Sequence, residues 1–162
     1  MNLLIDLGNT RLKWAQHAPD AWQVQTCTLT PQDVIHLLDQ AWRGMSAPRK
    51  IVISNVAGAH TLEAMQRWIT SHWSLTPHVI RAQADQLGVK NLYHEPATLG
   101  ADRWAALIAA RGLTSAAACV IDCGTAVTVD ALSALGEFRR SDLSRSAIAP
   151  AKFDAGNARN KI

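Results

Sequence analysis

An internal repeat is the feature of this sequence that most constrains its fold. Residues 2–10 read Asn-Leu-Leu-Ile-Asp-Leu-Gly-Asn-Thr, and residues 118–126 read Ala-Cys-Val-Ile-Asp-Cys-Gly-Thr-Ala. In each copy a buried, apolar strand ends in Asp, then x-Gly and a small polar residue follow, and then a second strand. The repeat predicts two similar β-hairpins, one near each end of an α/β chain.

Such a hairpin suits the binding of phosphate. Glycine lets the backbone approach a phosphate group closely, and the neighbouring N–H groups and a Thr hydroxyl supply hydrogen-bond donors. A carboxylate at the strand end can hold a metal ion or an ordered water. One copy alone would be read as an ordinary Asp/Gly/Asn turn, but two copies after apolar strands favour a nucleotide clamp. The nucleotide signatures GxxxxGK[ST] and GxGxxG are both absent.

A third motif, Gly100-Ala101-Asp102-Arg103, lies at the start of a predicted helix. The free N–H groups and the dipole of a first helical turn favour anions. Alone, the motif would be a helix start with a surface arginine. Between two phosphate hairpins, it indicates a general base and a substrate clamp.

Apolar periodicity gives the remaining elements. The helix that starts at Thr30-Pro31 has a capping hydroxyl and a proline at its first position, and Gly112 is expected to close the third helix. Residues 84–98 are expected to be rich in loops, and the pattern decays beyond Gly136. The predicted strands are 3–5, 11–15, 22–28, 51–53, 77–80, 118–121 and 127–129. One helix is predicted to start at residue 30, and two others to span 62–73 and 101–111.

Composition narrows the classes of function. The chain is 48% hydrophobic and 18% charged with a net charge of +3, and its basic residues are scattered up to about Arg139. We therefore expect a globular, cytoplasmic protein that binds neither nucleic acid nor membrane. The cysteines, Cys27, Cys119 and Cys123, form no CxxC pair and are expected to be small buried residues, and the histidines lack zinc-site spacing.

The three motifs resemble those of type III pantothenate kinases, a family that includes proteins described as Bvg accessory factors. The likeness covers roughly residues 1–138 and rests on residues 6–10, 100–103 and 122–126. It implies a duplicated ribonuclease-H-like fold of the acetate-kinase/Hsc70/actin superfamily. Residues 1–115 would form the first lobe, 116–138 the start of the second, and 139–162 a divergent, irregular tail.

The resemblance also implies an activity, the phosphorylation of pantothenate by ATP to 4'-phosphopantothenate in coenzyme A synthesis. The family uses Mg2+ and a monovalent cation, K+ or NH4+, and its full-length members are expected to be homodimers. By the same resemblance, Asp102 would accept the proton of the pantothenate hydroxyl and Asp122 would be the potassium ligand. ATP would be bound by Asp6, Leu7, Gly8, Asn9, Thr10, Arg11, Leu12, Lys13, Gly124 and Thr125. Pantothenate would be contacted by Tyr93, Gly100, Ala101, Asp102 and Arg103.

The sequence departs from the family after Phe138. The family continues into a Gly-Gly-x-Ile-x-Pro-Gly turn, whereas residues 139–146 read Arg-Arg-Ser-Asp-Leu-Ser-Arg-Ser. One set of codons for this segment is CGG CGG TCT GAT CTC TCC CGG TCT, which read one nucleotide later gives Gly-Gly-Leu-Ile-Ser-Pro-Gly. We therefore expect a frameshift rather than natural divergence, and a poor or inactive kinase. The product of the shifted frame after Phe138 is called the frame-corrected chain below.

Two other functions are compatible with the residues. A different acid or sugar kinase of the same superfamily would share the phosphate hairpins and differ only in its substrate. A regulatory accessory factor would need a protein or DNA partner, and the sequence shows no helix-turn-helix and no basic stripe.

Overall fold

The computed structural model describes residues 1–19, 21–30, 33–124 and 127–138. This part of the chain is a mixed α/β structure with two five-stranded sheets, each with its own hydrophobic core. The first core draws on residues between Leu3 and Leu75, and the second on residues between Ile80 and Phe138. The boundary predicted at residue 115 lies within the stretch that builds the second core.

The first sheet has the strand order β3-β2-β1-β4-β5. Strands β1 to β3 form an antiparallel meander, and β4 and β5 extend it in parallel from β1. Alternate residues of β1 are buried, as expected for a strand with one face on a core. The strands are β1 (Asn2–Leu7), β2 (Arg11–Ala18), β3 (Ala21–Thr28), β4 (Lys50–Asn55) and β5 (His78–Val79).

Two helices, α1 (Val34–Ala41) and α2 (Ala59–Trp73), pack together and contribute to the first core. The helix predicted from Thr30-Pro31 therefore begins at Val34, and Pro31 lies outside the described residues. Three tryptophans meet where the two helices end. The ring centroids of Trp42 and Trp68 are 5.4 Å apart, and those of Trp68 and Trp73 are 5.0 Å apart. These aromatic rings belong to the packing of the lobe.

The second sheet has the order β6-β7-β10-β9-β8. Its members are β6 (Asp85–Gln86), β7 (Val89–Asn91), β8 (Ala118–Cys123), β9 (Val127–Leu132) and β10 (Glu137–Phe138). Helix α3 (Ala101–Leu113) contacts this sheet through Trp104 and Leu107, which are both fully buried. The helix predicted to close at Gly112 extends one residue beyond that glycine.

The loop-rich interpretation of residues 84–98 is wrong in part. This segment contains β6, β7 and a 3-10 turn at Pro96–Thr98. β7 is held by parallel pairing with β10, which lies more than 40 residues further along the chain. The local sequence pattern does not encode a partner so far along the chain. These strands were therefore not predicted.

The predicted burial of the strand around residues 118–121 is also wrong. Ile121 is 61% exposed, and Cys119 and Cys123 are exposed as well. The outer face of the β8–β9 hairpin carries the cross-strand pairs Cys119–Ala131, Ile121–Val129 and Cys123–Val127. Most of this apolar face is exposed in the described part of the chain, so the strand has the composition of a buried element without its burial. No described helix is long and apolar enough to cross a membrane.

Candidate active site

One cleft brings together the three sequence motifs. It has a volume of about 560 Å³, and it is bordered by both β-hairpins and the start of α3. The lining residues are Asp6, Gly8, Asn9, Thr10, Arg11, Lys13, Val56, Asp102, Asp122, Cys123, Gly124 and Thr128. Three carboxylates and two cationic side chains are among them.

The β1–β2 hairpin forms one wall of the cleft. Asp6 and Lys13 are cross-strand partners, and Lys13 Nζ lies 3.2 Å from Asp6 Oδ2. The turn is closed by the N–H of Gly8, which donates to the Arg11 carbonyl at 3.0 Å. The Asp6–Lys13 ion pair is open to solvent and contributes little to stability. It does, however, hold a cation and a carboxylate side by side next to the turn.

The β8–β9 hairpin lines the same cleft through Asp122, Cys123, Gly124 and Thr128. Asp122 is the cross-strand partner of Thr128, as Asp6 is of Lys13. Gly124 follows β8 and lines the cleft. Thr125, predicted to bind ATP, lies outside the described residues. Asp122 is exposed, so the expectation that it ends a buried strand is wrong for the same reason as for the rest of β8.

Asp102 reaches the cleft from the first turn of α3. Its Oδ1 accepts a hydrogen bond from the Arg103 N–H at 2.8 Å, which keeps the carboxylate over the free end of the helix. Gly100 makes room for it, because a Cβ at that position would lie 2.5 Å from Asp102 Oδ1. The glycine of the Gly100–Arg103 motif thus has a steric role in placing the predicted base.

The Arg103 side chain forms a largely buried ion pair with Asp130. Its Nε donates to Asp130 Oδ2 at 2.9 Å and its Nη2 donates to Asp130 Oδ1. The Asp130 side chain is 2% exposed and that of Arg103 18%. The hydrogen bond to Asp130, with the charge of that carboxylate, raises the pKa of the guanidinium against the opposing effect of burial. Arg103 is therefore a fixed cation.

Tyr93 belongs to the same cluster as Arg103. The Tyr93 ring stacks on Phe138 with centroids 5.5 Å apart, and the Arg103 guanidinium lies 5.7 Å from the centroid of that Phe138 ring. A hydrogen bond and charge at Tyr93 also raise the Arg103 pKa. The structure thus brings together two residues predicted to contact substrate, beside the cleft rather than among its lining residues.

The predicted site residues that the structure describes fall into three groups. Most of those expected to bind phosphate line the cleft, as does Asp102, whereas Leu7 and Leu12 are fully buried in the first core. Tyr93, Gly100, Ala101 and Arg103 are not among the lining residues. Sequence reasoning missed Val56, Thr128 and Asp130. Thr128 and Asp130 give a sequence signal, because they interrupt an apolar strand on one face, but that signal does not reveal Arg103 as the partner of Asp130.

The described residues contain no cluster of three or more His, Cys, Asp or Glu side chains arranged to hold a metal ion. Carboxylates nevertheless line the cleft on both sides, at Asp6 and Asp122. Mg2+ is commonly bound through one or two carboxylates together with substrate phosphates and water. The donor set therefore fits an ion that arrives with a nucleotide.

Comparison with known proteins gives the family. A family model described as "Type III pantothenate kinase" matches residues 2–140. A protein of that name from Nitrosomonas eutropha is 44% identical over 137 residues, which cover 84% of this chain and 52% of that protein. One from Nitrosospira multiformis is 43% identical over 136 residues, covering 84% of this chain and 51% of that protein.

A type III pantothenate kinase of Nitrosococcus oceani is 35% identical over 143 residues, covering 85% of this chain and 54% of that protein. This chain thus spans about half the length of these relatives. Among solved structures, a Ppx/GppA family member from Aquifex aeolicus covers 86% of this chain and 49% of its own at 16% identity, with a TM-score of 0.41. A similarity of that level does not assign a fold.

The sheets, helices and two-hairpin cleft define a mixed α/β protein whose site has the features of a kinase. With residues 2–140 matched by the family model, the chain belongs to the type III pantothenate kinase family.

Proposed function

We propose that the cleft binds ATP and phosphorylates the hydroxyl group of pantothenate, giving 4'-phosphopantothenate for coenzyme A synthesis. The observation that carries this proposal is the meeting of three distant motifs in one cleft. Asp6 and Asp122 come from the two hairpins, and Asp102 comes from the helix between them in sequence. The family match supports the choice of substrate.

Phosphoryl transfer asks a protein mainly for positioning, charge neutralisation and one base. We assign the phosphates of ATP to the hairpin turns, where Gly8, Asn9 and Gly124 present backbone and Thr10 a hydroxyl. Arg11 and Lys13 supply positive charge on the same wall. Asp102 then takes the proton from the attacking hydroxyl of pantothenate.

The charges of the cleft favour a bound cation. Three carboxylates face two cationic side chains among the lining residues, which leaves an excess of one negative charge before ATP enters. Bringing in an anionic triphosphate would be repulsive without a compensating ion. Mg2+ held by Asp6 with the phosphates, and a monovalent cation held by Asp122, would supply that compensation.

The sheet order supports the fold implied by the resemblance. We propose that β3-β2-β1-β4-β5, with an antiparallel meander followed by parallel strands, is a ribonuclease-H-like lobe. The β8–β9 hairpin, which repeats the β1–β2 hairpin, would begin the second lobe, and full-length members would act as homodimers. The alternative of a regulatory accessory factor is less well supported, since the relatives are named as kinases.

The test is a substrate panel with the frame-corrected chain. ADP release is measured with ATP, K+ and Mg2+ in the presence of pantothenate, acetate, glycerate and hexoses. We expect turnover that depends on pantothenate and exceeds that with any other acceptor by at least about 100-fold. Asp39→Asn is a control variant, since Asp39 hydrogen-bonds Trp68 in the other core region. Equal or higher turnover with another acceptor would favour a different kinase of the superfamily.

A further inference from the structure

Arg103 and Asp130 form an ion pair that the sequence motifs did not predict. Arg103 uses two donors, Nε and Nη2, on the two carboxylate oxygens of Asp130. Such bidentate pairing fixes the plane of a guanidinium as well as its position. Asp130 itself is 1% exposed, so it has little access to any ligand.

The pairing leaves part of the guanidinium for other partners. Arginine has five N–H donors, and the contacts with Asp130 occupy one on Nε and one on Nη2. The Phe138 ring lies 5.7 Å from the guanidinium and limits its movement on that side. Tyr93, stacked on Phe138, lies close enough to affect the Arg103 pKa. These contacts hold the Arg103 guanidinium in a fixed orientation near Tyr93. Arg103 directly follows Asp102, the predicted base, in the sequence.

The chain connectivity gives this pair a place in the site. Arg103 lies in the first turn of α3, one residue after Asp102, and Asp130 lies on β9, two residues after Thr128. Asp102 and Thr128 both line the cleft. The ion pair therefore ties the helix that carries the predicted base to the hairpin that forms the second phosphate wall.

We propose that Asp130 is a positioning residue that orients Arg103 to receive the carboxylate of the acid substrate. The inference rests on the proposed function and adds a residue to it that neither hairpin motif contains. With both of its oxygens engaged by Arg103 and almost no exposure, Asp130 acts through the arginine and not on the substrate. The preference of the enzyme for an acid over its uncharged analogue would then depend on Asp130, which is buried behind Arg103 and does not touch the substrate.

The test compares two substrates in the frame-corrected chain. One is pantothenate, and the other is its alcohol analogue, in which a CH2OH group replaces the carboxylate and the reacting hydroxyl is unchanged. The measured quantity is the discrimination ratio, kcat/KM for pantothenate divided by kcat/KM for the analogue. Asp130→Asn and Asp130→Glu are compared with the parent and with Asp39→Asn. The control removes the charge of another hydrogen-bonded aspartate, on α1, whose partner is Trp68.

We expect Asp130→Asn to lower the discrimination ratio about 10- to 100-fold, since misplacing a contact group by about 1 Å has an effect of that order. The loss should appear as a raised KM for pantothenate, with the KM for ATP and the kinetics of the analogue nearly unchanged. Asp130→Glu keeps the charge, moves it by one methylene and should lower the ratio less. Asp39→Asn should leave the ratio at the parent value.

A merely structural role would reduce turnover of both substrates together and leave their ratio unchanged, and that result would overturn the inference. So would the loss of cooperative unfolding in both Asp130 variants, because Asp130 would then be holding the fold. If the parent chain phosphorylates neither substrate, the proposed function fails and the inference fails with it. Normal turnover by the parent with an unaltered ratio in folded variants overturns the inference alone.

Discussion

Asp102 and Arg103 are neighbours in the chain, but their side chains have different surroundings. Asp102 lines the cleft, whereas Arg103 donates to the buried carboxylate of Asp130. Successive residues of an α-helix project about 100° apart, so adjacent positions in a first turn reach different neighbours. Substitutions at the two positions should therefore report on different steps, proton transfer for Asp102 and substrate binding for Arg103.

The room left by Gly100 gives a first prediction. In Gly100→Ala, the added Cβ would lie 2.5 Å from Asp102 Oδ1, and the carboxylate can relieve this contact by rotating away. We expect kcat to fall about 10-fold or more in the frame-corrected chain, because a general base must lie within hydrogen-bond reach of its proton. The free energy of unfolding should change by less than about 1 kcal/mol, since the moving atom ends a side chain. Unchanged kcat would show that Gly100 does not place the base.

Asp122 gives a second prediction at the scale of one residue. Asp122 is exposed, and the structural argument for an ion there is that its carboxylate lines the cleft together with Asp6. We expect Asp122→Ala to abolish the stimulation of the frame-corrected chain by K+, measured as turnover with and without the ion at constant ionic strength. If stimulation persists in the variant, the monovalent cation is bound elsewhere.

At the scale of elements, the two hairpins were predictable from sequence because their signals are local. An apolar strand ending in Asp-x-Gly specifies strand, turn and strand within about ten residues, and the observed pairs Asp6–Lys13 and Asp122–Thr128 follow from that arrangement. The motif also predicted the helix at Ala101 and the place of Asp102 at its start. For these elements the predicted secondary structure agrees with the fold, whereas the burial predicted for β8 does not.

Other parts of the site could not be read from sequence. β6 and β7 are two and three residues long, and β7 depends on the distant β10. Asp130 becomes meaningful only when β9 is packed against α3, which brings it to Arg103 across 27 positions of sequence. Long-range pairing and the partner of a buried charge are properties of the assembled fold, and periodicity does not encode them.

The turn between β9 and β10 gives a prediction at this scale. Gly136 has a φ of 78°, and a Cβ there would collide with the carbonyl oxygen of Gly88 in the β6–β7 turn. Gly44 has a φ of 73° with nothing within 4 Å of the position of a Cβ, and it provides the matched control. Gly44→Ala should cost about 1 kcal/mol for the backbone conformation alone.

Gly136→Ala should cost at least about 2 kcal/mol more than Gly44→Ala, because backbone must move to relieve the collision. Urea denaturation of the two variants and the parent gives both values. Equal losses of stability would mean that the two turns are not in contact, and the placement of β6 and β7 against β10 would be contradicted.

The exposed apolar face of the β8–β9 hairpin affects the behaviour of the whole molecule. Ile121 is 61% exposed and Val129 36%, on a face made of small and apolar residues. Exposed apolar surface of this kind favours association. Residues 139–146 do not contain the Gly-Gly-x-Ile-x-Pro-Gly turn that the resemblance implies after Phe138.

We therefore expect the 162-residue chain to release ADP in response to pantothenate at less than about 1% of the rate of the frame-corrected chain. The two chains are purified side by side and assayed at equal concentration, with light scattering to compare their association. Comparable turnover by the 162-residue chain would show that residues 1–138 with the present tail are sufficient for catalysis.

In the proposed reaction, Asp102 takes the proton from the pantothenate hydroxyl while the two hairpins hold ATP. The most direct measurement is turnover of the frame-corrected chain carrying Asp102→Asn, with ATP affinity determined separately by calorimetry. Asparagine keeps the size of the side chain and removes its capacity to accept the proton. We expect kcat to fall about 10²–10⁴-fold, with the dissociation constant for ATP within about threefold of the parent value. Turnover close to that of the parent would show that Asp102 is not the base.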